Sequence, residues 1–356
     1  MIVLNGEPFI KYNLRSLYPF AHQIIAVEGA NYHSTHCATE DGHSIDGTLR
    51  ILREFKKFED PENKVLIVTA EDEGHPNGFW PGEKDEQSRA YSKRATGNWL
   101  WQIDVDEFYV ESDMQSIVEM LGNDPSISTI SFPELPFWGS FSYRCEGIFL
   151  RLRYSEVYRL FKWLPGYKYV SHRPVTVVNE AGVDLRKTGC VHAEALRKIG
   201  IYLYHYYKVF PDQVRSKMIY YAKRSLEVEE KQRCTLRGEE YFETIFLKLN
   251  NPFRIHMFNK WPSWLEKYEG NHPEQIQALR NDIAAGAITV STRKMDDVLL
   301  LVKSRNYRLG ILFWKTWGNY VSQTNRLLRD FLRGRAGTLE FFHRLFHILT
   351  GKKRLF

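Results

Sequence analysis

Cysteine is scarce in this chain. Cys37, Cys145, Cys190 and Cys234 stand far apart in 356 residues, with no CxxC pair and no tight spacing to histidine. A zinc cluster and a disulfide framework are thereby excluded, and a reducing compartment, the cytoplasm, is the expectation. Long apolar runs are also missing. The runs VLLLV (298 to 302) and GILFW (310 to 314) fall far short of the roughly 20 residues that span a bilayer, so no transmembrane helix is expected. MIVLN reads as a strand from residue 2, so no secretory signal is expected ahead of the fold. Low-complexity tracts and fixed-period repeats are absent.

Negative charge is nearly absent from one end only. From residue 301 onward twelve Lys or Arg stand against Asp330 and Glu340, a balance of +10; the whole chain carries +6, which leaves −4 for the first 300 residues. Basic character therefore belongs to the tail, and no nucleic-acid partner is expected for the body of the protein. With 43% hydrophobic, 26% charged and 14% aromatic residues, most of the chain should pack.

The first 135 residues alternate aliphatic runs with helical patterns, as in a mainly parallel α/β sheet with crossover helices. MIVLN, QIIAVEGA and NKVLIVTAE read as strands, with EPFIKYNLRSLYPF and the stretch after SIDGT as helices, the second capped by Ser44 or Asp46. A helix in QSRAYSKRAT leads through Gly97 to a fourth strand, WLWQID. A short helix around DMQSIVEML and the strand ISTISFPEL follow. Residues 136 to about 190 are aromatic-rich and read as antiparallel strands and loops. YLYHYYKVFP then gives a strand and a proline turn before a long helix. The expected organisation is a catalytic α/β domain over 1–225, divided at 135 into nucleotide and acceptor halves. A mostly helical region over 226–356, basic from about 301, completes it.

The fourth strand ends in Asp104, Asp106 and Glu107. On extended backbone Asp104 and Asp106 point to one side and Val105 to the other. The carboxyl edge of an open parallel sheet is where ligands bind. Two like charges there require a cation or a shared proton, and a hard divalent ion bound to a substrate diphosphate meets that need.

LNGEPFIKYNLRSLYPFAHQIIAVEGA, SIDGT and SRAYSKRATGNWLWQIDVDEF together resemble the nucleotide-binding half of GT-A fold glycosyltransferases, closest to glycosyltransferase family 2. The resemblance covers residues 1 to 135 in order and spacing. It implies a Rossmann-like fold and transfer of a sugar from a UDP- or GDP-sugar to a glycan, lipid-linked or other hydroxyl acceptor. It also implies that Asp104 and Asp106 hold Mn²⁺ or Mg²⁺ and, through it, the donor. Asn5 and Glu7 match the end of the first strand beside the nucleotide, and Glu28 an acid near base or ribose. Arg89 matches a polar position on the helix before the DxD strand. One departure is the insertion NYHSTHCATEDGH between VEGA and SIDGT, where relatives run almost without a gap.

Members of this fold often add a late histidine or acid to the metal, which makes His205 a third ligand or, equally, a histidine packed among Tyr202, Tyr204, Tyr206 and Tyr207; His192 and His256 are weaker choices. An inverting transfer needs a carboxylate base. The usual downstream ED pair is missing between 135 and 210, and Glu156 and Glu134 are preferred over Glu146 and Asp184. Trp138 and Trp163, with Phe137 and Tyr167, are read as sugar-stacking residues or as core. NKWPSWLEKYEGNHP is read as closing over the acceptor site or, with Trp261 and Trp264 three apart, as a buried helix start. The tail mixes Phe, Leu and Trp with Arg and Lys at helical spacing, as in a helix lying on an anionic membrane or docked on the acidic half. Competing readings are a nucleotidyltransferase, whose Gly-rich basic loop NGEPFIKYN does not supply, and a sugar-nucleotide-binding protein without turnover. A haloacid-dehalogenase-type phosphatase needs a small hydroxyl or β-branched residue where Phe108 stands.

Overall fold

β-Branched runs flanked by amphipathic segments fold here as the sequence pattern dictates. The computed structural model describes residues 1–82, 84–151, 156–227, 238–256 and 261–332, with residue 345. β1 (Ile2–Val3), β2 (Ile24–Glu28) and β3 (Val65–Val68) pair in parallel in that order. α1 (Ile10–Leu17) and α2 (Thr48–Phe58) form the crossovers. Apolar residues of both helices, Ile10, Leu14, Leu17, Leu52 and Phe55, enter the main core with Ile24, Ala26 and Val65. The N-cap of α2 is Gly47, without a side-chain cap; Asp46, one residue earlier, accepts from the Thr48 backbone N–H at 2.9 Å, so neither expected residue occupies the cap position. Ser44 is committed elsewhere. α3 (Lys84–Ser92) then leads to β4 (Trp99–Trp101). Past β4, Asp104 bridges in parallel to Ile2, which places the fourth strand beside the first.

β5 (Glu107–Phe108) and α4 (Glu111–Asn123) precede β6 (Thr129–Trp138), the hub of a second, eight-stranded sheet. β7 (Ser140–Gly147), α5 (Ile148–Arg151), β8 (Glu156–Lys162), β9 (Lys168–His172), β10 (Val175–Val178) and β11 (Cys190–Val191) follow. After α6 (Ala193–Lys198) and β12 (Leu203–Lys208), α7 (Pro211–Glu227) starts at the expected proline. β6 pairs with β8, which in turn pairs with β4, so the two sheets meet at β4. β12 lies between β6 and β5. The chain is thus a mixed α/β fold with flanking helices.

α8 (Glu239–Tyr241) continues into a π-helical turn, Phe242–Leu247. β13 (Ser263–Lys267), α9 (Glu274–Ala284), α10 (Asp296–Lys303) and α11 (Arg305–Leu332) complete the described elements. The expected boundary at 225 falls inside α7, and β13 from beyond it pairs with β7. In place of the expected helix start at Trp261 and Trp264, the chain forms this strand from Ser263: Pro262 withholds a backbone donor, Trp264 is fully buried, and Trp261, just before the strand, is exposed. A cavity of about 450 Å³, lined by Leu17, Ile24, Trp99, Leu100, Met114 and Leu121, opens toward the amino ends of β2 and β4, away from the acids. No described helix is long and apolar enough to cross a membrane.

The middle of β6 fastens the two sheets together. Phe132, fully buried, stacks on Trp101 at 5.8 Å and meets Tyr109 edge-on at 4.9 Å. Phe132→Ala should cost about 3 to 5 kcal/mol through lost burial and a residual cavity, measured as a lower urea midpoint at unchanged slope.

Candidate functional site

The strand does not run straight through its acids. Asp104 accepts from the Glu107 backbone N–H at 3.0 Å, which closes a turn over residues 104 to 107. The expectation that Asp104 and Asp106 project side by side from extended backbone is therefore corrected. Arg159, at the centre of β8, explains much of the turn. Its Nε donates to Glu107 Oε2 at 2.8 Å, its Nη2 also pairs with Glu107 Oε1, and the same Nη2 reaches Asp104 Oδ2 at 3.0 Å. The Asp104 N–H donates to Glu107 Oε2 at 3.1 Å.

Asp106 faces a different set of cations. Its Oδ2 accepts from Gln213 Nε2 at 2.8 Å and from Lys217 Nζ, both on α7. His205 Nε2 lies 3.5 Å from Asp106 Oδ1, and His205 Nδ1 donates to Glu134 Oε1 at 2.6 Å. The β12 register makes this contact, because His205 stands opposite Glu107 on one side and Pro136 on the other.

Charge follows contact. Burial opposes ionisation of Asp104, but Arg159, with Lys84, His172 and His205, holds its carboxyl well below the usual range. Burial likewise opposes ionisation of Asp106, and Lys217 and His205 outweigh it. Glu134 is also lowered, its burial overcome by the hydrogen bond from His205. Burial alone would lower His205; its bonds to Asp106 and Glu134 instead raise it to about 10. His205 is an imidazolium at neutral pH.

The expected ligands are thus engaged by protein groups: Asp104 Oδ2 by Arg159, both Asp106 oxygens by Lys217, Gln213 and His205, and both His205 ring nitrogens by Asp106 and Glu134. Among the described residues, no group of three or more His, Cys, Asp or Glu side chains is arranged to hold a metal ion. The acid charge is already met by Arg159 and Lys217. In this arrangement the donor set does not fit Mn²⁺ or Mg²⁺.

The other expected residues fall into three groups. Asn5, at φ 53°, ties the end of β1 to the insertion. Its Nδ2 donates to the Cys37 carbonyl at 2.6 Å, its Oδ1 accepts from the Ile45 N–H, and its own N–H donates to Ser44 Oγ. Glu28, fully buried, accepts from Ser44 N–H at 2.8 Å, Ser44 Oγ at 2.7 Å and His43 Nδ1 at 2.7 Å. Its carboxylate is spent on the insertion and is not open to a base or ribose. The Glu7 N–H donates to Asp46 Oδ2 at 3.0 Å, while its side chain stays half-exposed near Arg50. Arg89 is exposed and pairs with Glu86 of its own helix. Glu156 sits apart from Asp106, bonded to Tyr158 and to His192 at 3.1 Å.

Trp138 is fully buried under the Arg293 guanidinium, 4.8 Å away, and against Phe246 at 5.2 Å. An acceptor cannot reach it, and its place as a stacking residue is corrected to core packing. Trp163 is partly buried and packs against the core cluster that includes Tyr169 of β9 and Val177 of β10.

Arg159, Lys217 and Gln213 were not foreseen. Their signal in the sequence is faint: Arg159 interrupts the aliphatic and aromatic strand VYRLF, where a lone charge on an inward strand position requires a buried partner. The insertion is also built in. Ala30 N–H donates to the Gly42 carbonyl at 2.7 Å. Gly42 and Gly78, both at positive φ, cross so closely that a Cβ on Gly78 would lie 1.8 Å from the Asp41 carbonyl oxygen.

No family model and no curated protein matches this chain, so the expected membership of glycosyltransferase family 2 finds no match. Among solved structures it is similar to TarS from S. aureus, at 13% identity and a TM-score of 0.33, over 73% of this chain and 43% of that one. TarS 1-349 in complex with UDP is similar at 12% identity and a TM-score of 0.31, over 70% and 69%. TarS 1-349 alone gives 11% and 0.30, over 65% and 72%. The chain spans under half the length of the first of these. Likeness at this level carries no argument about activity, which rests on the residues themselves.

Two outcomes follow from the ion network. Arg159→Met leaves Glu107 buried and uncompensated and should cost about 3 to 5 kcal/mol, read from urea unfolding. His205 has a folded pKa raised to about 10 above an unfolded value of about 6.5. Its contribution is therefore complete below about pH 6.5 and lost as pH rises toward 10. In metal-free buffer the urea midpoint should fall across that window, and His205→Gln should flatten the fall.

Proposed function

We propose that this chain transfers a sugar from a nucleotide-diphosphate donor, a UDP- or GDP-sugar, to a hydroxyl of a glycan or lipid-linked acceptor. The observation that carries the reading is the ionised Asp106, buried at the carboxyl edge of a parallel sheet and faced by Lys217 and His205. The order of motifs through residues 1 to 135, which resembles family 2 glycosyltransferases, supports it.

Sugar transfer passes through an oxocarbenium-like state while negative charge collects on the leaving diphosphate. Lys217 is the most exposed of the three cations paired with the acids, Arg159 and His205 being more buried. A preoriented ammonium stabilises the departing diphosphate. Glu134 shares His205 with Asp106 and is ionised, so it can accept the proton of the attacking hydroxyl. Glu156, paired with His192, stands outside that network and is the second choice as base. No step is assigned to a divalent ion, because the acids are already neutralised by side chains.

Calorimetric titration of the full chain with UDP- and GDP-sugars in EDTA should give saturable binding of one donor. Lys217→Ala should weaken it by at least about ten-fold, the value of one charged contact. Absence of binding for every donor, with and without Mn²⁺, sinks the proposal. Binding that appears only with Mn²⁺ or Mg²⁺ would return Asp104 and Asp106 to the metal and displace Lys217 from Asp106.

A further inference from the structure

α11 turns one face inward. Tyr307, Ile311, Trp314 and Val321 pack with Ile148, Phe253 and Trp264. The helix seats closely there: a Cβ on Gly310 would lie 2.4 Å from the Phe253 ring, and one on Gly318 3.0 Å from Ile148. Tyr307 also donates to the Pro252 carbonyl and accepts from the Leu265 N–H at 2.8 Å. α11 is thus fixed to the body by its inner face.

The outer face is apolar where a solvated helix would be polar. Leu309 is 55% exposed, Leu312 61%, Phe313 60% and Trp317 46%, at spacings of three, four and eight residues that make one stripe. On α10, Leu299 and Leu300 are exposed at 44% and 71%. Clusters of this kind mark an interaction surface. The charge beside the α11 stripe is basic: Lys303, Arg305 and Arg308 are exposed there, while the acids Asp296 and Asp297 stand at the far end of α10, Asp297 paired with Arg293. Between Asp297 and Asp330 the chain holds six Lys or Arg and no Asp or Glu.

We propose that the outer face of α10 and α11 docks on an anionic lipid surface. Leu, Phe and Trp enter the headgroup boundary and Lys and Arg stay with the lipid phosphates, the division found in helices that lie in the interface plane. The juxtaposition of a rigidly seated inner face with an apolar outer stripe and a basic flank along α11 carries the inference. A second copy of the chain is a poor occupant, since like-charged flanks would face each other. The surface shares no residue with the acid network, so the proposal stands independently of the reaction assigned above.

The test is co-sedimentation of the full chain with phosphatidylcholine vesicles, with and without phosphatidylglycerol. Pelleting is expected only with the anionic vesicles, declining as salt is raised. The variant Phe313→Ser with Trp317→Ser should keep its melting temperature, since both side chains face outward, and should pellet at least about ten-fold more weakly. Arg305→Gln with Arg308→Gln should weaken pelleting at low salt and make its decline with salt shallower. Equal pelleting of the parent and the Phe313/Trp317 variant overturns the proposal, as does failure of the parent to pellet with anionic vesicles. Light scattering that shows a dimer dissolved by Phe313→Ser with Trp317→Ser would assign the stripe to self-association and overturn it as well.

Discussion

Compensation of buried negative charge governs the centre of this protein. Asp106 and Glu107 are almost wholly excluded from solvent, and Glu134 and Asp104 are partly buried. An uncompensated carboxylate in such surroundings would take up a proton or force the structure open. The chain prevents this with three cations drawn from three elements: Arg159 from β8, His205 from β12 and Lys217 from α7. Each ties a different part of the second sheet, or the helix that follows it, to the end of the fourth strand. The ion network is therefore also the seam between the parallel sheet and the larger one.

Buried ion pairs add little net stability compared with apolar packing, because desolvation offsets most of the attraction. Their retention here is better understood through what they hold in place. Asp106 remains a carboxylate at the edge where strands β1, β2 and β4 end, and His205 remains a cation between two acids. Such groups keep fixed charge in a site of low polarity, where it acts on a substrate without prior reorganisation of solvent.

Much of the fold was legible. β1 to β3, both crossover helices and the turn into α7 lie where apolar periodicity and the Pro211 start put them, because these depend on local pattern. The tight turn at Asp104 was not legible, since it is set by Arg159, some fifty positions away, and propensity carries no record of so distant a partner. Trp138 illustrates the same limit from the other side. Aromatic composition cannot distinguish a ring that stacks on a ligand from one sealed beneath Arg293. The strand at Ser263 was hidden for a related reason: its hydrogen-bonding partner, β7, is far off in sequence, while the Trp spacing imitates a helix.

The crossing of Gly42 and Gly78 has a consequence for how this family of sequences can vary. Two loops that touch main chain to main chain, with no side chain between them, behave as one part. A residue gained or lost in the segment after β2 would shift the segment after β3 by the same step. Lengths in the two places should therefore change in concert, and the two loops should be inherited as a unit rather than assembled piecemeal.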